Sequence, residues 1–316
     1  MSFGAVLEAI ALLDSPKACG QAVVDAVRAA GGGPGAVEAS YKTIYGEKGH
    51  TDFVKISIPG KRGKSAGGNA PTLGIIGRLG GVGARPEAIG MVSDADGAVT
   101  ALAAALKLSR MAALGDTLPG DVIICTHVCP NSPTLPHDPV PFMGAPVDMA
   151  TMNRHEVDPE MDAILSIDTT KGNKIINVRG FAISPTVKDG YILRVSEDLL
   201  DIMSITTGKP PVTFPITTQD ITPYGNGIYH LNSILQPATA TDKPVVGVAI
   251  TACSVVPGCA TGASHPTDIE EATRFVIEVA KAFGTGKCRF YDEAEFAALV
   301  RLYGPMTHLR TMGKYA

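Results

Sequence analysis

The chain has 316 residues, 45% of them hydrophobic and 18% charged, and a net charge of −4. That balance is ordinary for a globular protein, and the length allows one large or two small domains. Slight acidity without a basic run argues against a nucleic-acid partner, and no apolar run is long enough to enter a membrane as a span.

The start, MSFGAVLEAI, lacks the basic segment and cleavage site of a signal peptide. Six cysteines spread along a large chain read as reduced thiols, so a cytoplasmic location is expected. Phe3–Leu13 reads as a short apolar helix. Asp14-Ser15-Pro16 ends it and starts the next, which continues over Gln21–Ala30 and stops at three glycines. Phe53–Ile58 alternates as a strand, Gly60–Gly68 reads as a flexible loop, and Thr72–Gly77 as a buried strand.

The stretch GMVSDADGAVTALAAALKL, residues 90–108, organises the rest of the chain. Val99, Leu102, Ala103 and Leu106 recur at helical spacing and make one apolar face. Ser93 and Asp94 stand where an N-cap would, at the positive end of that helix. One acid is enough to cap, so two, Asp94 and Asp96, between small residues also fit a site.

Next comes a strand, VIICT, and then a long proline-rich loop, His127–Pro146, which carries His127, Cys129, His137 and Asp138. A loop that long in a compact domain is usually functional or disordered. Ala163–Ile167 is a strand with Asp168 at its carboxyl end, where open α/β sheets bind ligands. Tyr191–Val195 reads as a strand, Ser196–Met203 as a helix and Val245–Ile250 as a buried strand. A helix over Thr267–Phe283 comes after it, with Thr267 and Glu270 as a capping box and His265 just ahead. Glu293–Leu302 is the last helix. Short apolar strands alternating with helices predict a single α/β domain over residues 1–316: a three-layer sandwich with a mostly parallel, mixed central sheet. Asp94, Asp168 and His265 fall at corresponding loop positions, and carboxylate and imidazole are ligands of zinc and similar ions.

In that order these residues resemble the zinc-dependent exopeptidase clan, and within it the co-catalytic metallo-aminopeptidases. APTLGIIGRLGGVGARP is similar to the strand that ends in the Gly-His-x-Asp ligand motif. SDADGAVTALAAAL is similar to the turn with the bridging aspartate, MDAILSIDTT to the strand with a further ligand aspartate, and ASHPTDIEEATRFVIEVAKAF to the terminal ligand histidine and its helix. The chain also resembles an uncharacterised bacterial family known only as a domain of unknown function. The resemblance implies an aminopeptidase/phosphorylase-like fold and a metal-dependent hydrolase of an amide bond in a small peptide-like or amino-acid-derived molecule. It further implies a homo-oligomer.

It also places one divalent transition metal ion, zinc, on Asp94, Asp168 and His265, with His127 beside them. Arg78 stands where the first ligand histidine would be and Gly80 where the aspartate would be, while the paired glutamates fall at Cys129 and Pro130. A guanidinium cannot bind a cation, so at most one ion is expected, with Arg78 and Asn131 contacting the substrate. Arg78 could instead pair with Asp94 and replace the metal outright. Candidates for the catalytic base are Asp96, His137 and Cys129. Two alternatives remain open at this point. One is a non-catalytic chain that binds an amino-acid-like ligand. The other is a thiol hydrolase with Cys129 as nucleophile and His127 or His137 as base. His50 and Asp52, in GHTD, imitate the missing ligand motif but precede a strand that fits it poorly.

Overall fold

A computed structural model describes residues 2–33, 37–78, 81–82, 91–130, 133–135, 142–173, 175–216, 233–253 and 264–311. Helices α1 (Phe3–Leu13) and α2 (Gly20–Ala30) lead into a hairpin, β1 (Glu38–Gly46) and β2 (Gly49–Ile58). After β3 (Leu73–Gly77) a short ribbon, β4 (Gly81–Val82) with β5 (Met91–Ser93), introduces α3 (Asp96–Ala113). β6 (Val122–Val128) precedes a second ribbon, β7 (Thr134–Leu135) with β8 (Phe142–Met143), and then α4 (Met149–Glu156). Beyond α4 come β9 (Ala163–Thr169), β10 (Gly180–Ile183), β11 (Val187–Lys188), β12 (Tyr191–Ile192) and α5 (Glu197–Thr207). A 3-10 segment (Ser233–Thr239), β13 (Val245–Thr251), α6 (Pro266–Gly284) and α7 (Glu293–Tyr303) complete the order.

Nine strands form one sheet in the order β1-β2-β6-β3-β9-β13-β11-β12, with β10 also on β13. The centre, β6-β3-β9-β13, is parallel, and both arms are antiparallel. The parallel strands read as unbroken apolar runs because both faces are covered. On one face Ile56, Ile75, Ile124, Leu165 and Val248 join a core with α2, α3 and α6, on which α1 and α5 pack in turn. On the other, Ile76, Cys125, Ile164 and Ala249 meet Leu235 and Ala238 of the 3-10 segment, which touches α4. The fold is thus the three-layer α/β sandwich with a mixed central sheet that the alternation predicts, its parallel strands at the centre.

α3 is buried on every side, not along one stripe, because it lies between the sheet and three other helices. Alanines and Gly97 make that possible. A Cβ on Gly97 would lie 2.3 Å from the Ile167 carbonyl oxygen and 2.5 Å from that of Arg78, so the first turn of α3 rests directly on the ends of β3 and β9.

Several boundaries depart from the sequence reading. β1 escapes the alternation rule because as an edge strand it is exposed on both faces over most of its length. β6 runs on through Val128, so His127 sits in the strand and not in the loop. Only Tyr191–Ile192 of the expected 191–195 strand pairs. Pro16 falls in a turn before α2. The N-cap of α3 is Ala95, with no side-chain cap bond. Among the described residues no helix is long and apolar enough to cross a membrane.

The expected flexible loop at 60–68 is instead wound around Asp121. Its carboxylate accepts from Gly60 N at 2.7 Å, Ser65 N at 2.9 Å and Ser65 Oγ at 2.7 Å. Burial pushes the Asp121 pKa up, but these bonds outweigh it and hold the group below its ordinary value. A depressed carboxyl contributes stability that is present above its unfolded pKa and is lost as pH falls through the folded one. Asp121→Ala is therefore expected to cost about 2 kcal/mol near neutral pH, and less in acid. Urea denaturation at the two pH values checks this, and an equal loss at both would contradict it.

Candidate functional site

The carboxyl ends of β3, β6, β9 and β13 lie side by side, and the residues of interest collect there. Side chains two apart on a strand share a face. Arg78 therefore follows Ile76, His127 follows Cys125 and Asp168 follows Ser166, all toward the layer that holds α4. Asp148 caps α4, accepting from Thr151 N at 2.8 Å. The helix then presents Met149, Asn153 and Glu156 at i, i+4 and i+7, one face toward Arg78.

Arg78 turns its guanidinium to that face. Nη1 meets Met149 Sδ at 3.0 Å, Nη2 donates to Asn153 Oδ1 at 2.5 Å, and Nε lies 3.2 Å from Glu156 Oε2 without hydrogen-bond alignment. The other Glu156 oxygen, Oε1, lies 2.5 Å from His127 Nδ1. Glu156 and His127 are fully buried and Arg78 nearly so. Burial pushes the Glu156 pKa up, but the charges of Arg78 and His127 outweigh it and hold the carboxyl below its ordinary range.

A second buried pair lies across the ends of β9 and β13. Lys171 Nζ donates to Asp96 Oδ2, and Ser264 Oγ donates to Asp96 Oδ1. Lys171 is 2% exposed and Asp96 0%. The lysine turns inward because its backbone is tied to β13: its N–H donates to Ile250 O at 2.9 Å and its carbonyl accepts from Thr251 Oγ1 at 3.0 Å, with φ 53°. Thr169 Oγ1 accepts from Asp96 N at 3.2 Å and fixes the start of α3 to β9.

The residues expected from the sequence have distinct surroundings. Asp94 is half-buried in left-handed backbone, φ 47°, just before α3. Asp168 is half-buried near the end of β9, its Oδ1 accepting from Thr169 N at 2.8 Å. His265 is the exposed N-cap residue of α6 and makes no side-chain cap bond. The expected Thr267/Glu270 capping box is absent: Thr267 accepts from Arg179, while Glu270 accepts from Ser2 and Arg274. Cys129 is 0% exposed, 3.4 Å from Thr51 Oγ1 and set in the core, a poor place for a nucleophile. Asp52 accepts from Gly20 N at 2.8 Å and Thr43 Oγ1 at 2.7 Å, which explains GHTD as structure. Asn131, His137 and Asp138 lie outside the described residues. The sequence reading missed Glu156, Asn153, Lys171 and Ser264.

These contacts bear on the implied zinc. Asp96 is neutralised by Lys171, and the partner of Arg78 is Glu156. Among the described residues no three His, Cys, Asp or Glu side chains come together as a metal site. Among the described residues, Asp94, Asp168, His265 and His127 thus do not meet as a group of three, as the resemblance implies they would.

Three comparisons frame this geometry. The profile of the family described as "protein of unknown function (DUF1177)" matches residues 42–313. No curated protein matches the chain significantly. Among solved structures, a mutant of tomato leucine aminopeptidase superposes with a TM-score of 0.52 at 10% sequence identity, over 87% of this chain and 60% of that one. The chain therefore has the leucine aminopeptidase fold and spans about 60% of that enzyme's length.

Proposed function

We propose that this chain, which belongs to the DUF1177 family of proteins of unknown function, binds a small amino-acid-derived or peptide-like molecule at the carboxyl edge of β3, β6, β9 and β13. In this reading the site carries its own cations where the resemblance would put metal ions. One observation carries it: each of the two fully buried carboxylates at the edge has a built-in cation, Arg78 for Glu156 and Lys171 for Asp96. Paired acids have little charge left for a divalent ion, and a fixed positive charge repels one. In this reading Arg78 acts as a positioning residue rather than the carboxylate clamp expected from sequence, because Nη1 and Nη2 face Met149 and Asn153 of α4. Asp94, Asp168, Thr170 and Ser264 are half-buried, and each lies at the end of β9 or just ahead of α3 or α6. Carboxylates suit an ammonium, and the Thr170 hydroxyl suits the polar backbone of an amino acid. Open α/β sheets bind ligands at this edge.

Titration calorimetry with L-amino acids and dipeptides, beside elemental analysis of protein purified without added metal, tests the proposal. The expected result is saturable binding with well under one metal per chain. Stoichiometric zinc on which binding depends would overturn it.

A second reading is the metal-dependent amide hydrolase, with one ion, zinc, at Asp94 and Asp168. The left-handed backbone of Asp94 favours it, because such strain in a non-glycine residue concentrates at functional sites. Release of an amino acid from a dipeptide, abolished by a chelator and by Asp94→Ala, would select this reading.

A further inference from the structure

The sheet ends differently on its two sides. At one end β12 is two residues long. At the other, β1 runs for nine residues without proline. Its register with β2 is unbroken from Glu38 opposite Ser57 to Gly46 opposite Gly49, so there is no bulge. Among the described residues no strand pairs with the outer edge of β1. Proteins blunt free edges with short strands, proline, bulges or charge, because an open row of N–H and C=O groups recruits another strand. β12 is blunted by its length. β1 carries two charges, Glu38 and Lys42, and its Ala39 carbonyl accepts from Arg28 Nη2 at 2.8 Å, but from Tyr41 to Tyr45 it is rich in residues that favour strands: Tyr41, Thr43, Ile44 and Tyr45. Tyr45 is 79% exposed and Tyr41 40%.

We propose that β1 pairs antiparallel with β1 of a second copy, about a two-fold axis through Thr43, joining two sheets into one. Of the three registers centred on Lys42, Thr43 and Ile44, the one on Thr43 alone pairs both aromatic and opposite charges. Tyr41 comes opposite Tyr45 of the partner subunit, twice. Glu38 comes opposite Lys48 of the partner subunit, also twice, with Lys48 at the exposed hairpin tip. A register centred on Lys42 sets two lysines face to face. One centred on Ile44 puts Tyr41 against a glutamate and loses the ion pairs. Aromatic and opposite-charge cross-strand pairs are what specify pairing, and a two-fold axis supplies each of them in duplicate.

Sedimentation of the full chain at micromolar concentration tests this. The wild type sediments as a dimer. Tyr45→Asp, at an exposed position, weakens the dimer at least tenfold. Glu38→Lys and Lys48→Glu each weaken it, and the double charge swap restores it. Circular dichroism confirms that each variant is folded. A monomeric wild type would overturn the proposal, as would a dimer indifferent to Tyr45→Asp and to both charge reversals.

Discussion

Arg78→Met is expected to cost the fold about 3–5 kcal/mol, the range for removing one partner of a buried ion pair. The substitution keeps the length of the side chain but leaves Glu156 fully buried with only His127 beside it. It also takes a donor from Asn153. The cost should depend on pH with a definite sign. Glu156 has a depressed pKa in the native protein. The stability it contributes is present above the unfolded carboxyl value and is lost as pH falls through the folded value. The variant has already lost most of that contribution, so the gap between wild type and Arg78→Met narrows as the solution is acidified. Chemical denaturation at neutral and acid pH reads both quantities. A loss under about 1 kcal/mol, or a gap that widens in acid, would mean that Arg78 is not the counter-charge of Glu156.

Lys171→Met should have a similar effect, about 3–5 kcal/mol, because Asp96 is completely buried at the start of α3 and would keep only Ser264 as a partner. The change also acts beyond the pair. Asp96 joins α3 to the segment after β9 and to the start of α6, so local opening should spread to all three. Adding Asp96→Leu to Lys171→Met removes the stranded charge and should recover much of the loss, since a buried pair replaced by apolar groups is often neutral. A double variant as unstable as the single one would show that the lysine acts through its backbone turn and not through its charge.

Much of the fold was legible because the signals are strong. Leu73–Gly77, Val122–Val128, Ala163–Thr169 and Val245–Thr251 are continuous apolar runs, which is how strands covered on both faces read. The helical spacing of Val99, Leu102 and Leu106 announced α3. β1 was illegible because an edge strand exposed on both faces has no alternation to detect. The site was legible in place more than in partners. The carboxyl edge, Arg78, Asp96 and His127 all emerged from the sequence. Glu156 and Lys171 did not, because a charged residue in a polar stretch such as MNRHE or DTTKGN looks like solvated surface. Only the fold shows that the seventh residue after Met149 reaches a strand end 78 positions into the chain. Arg78 with Asp94 was a reasonable pairing from chain order; the arginine instead turns to the opposite layer, where α4 waits.

The central claim is that this edge binds an amino-acid-like molecule through a charge-balanced site that needs no metal. Thermal unfolding of the full chain with millimolar L-amino acids and dipeptides, in the presence of a chelator, tests it most directly, because a ligand that binds only the native state raises the midpoint by mass action. The account predicts a saturable rise with at least one such ligand, unchanged by the chelator and absent in Asp168→Ala. A rise that vanishes with the chelator and returns with added zinc would contradict it.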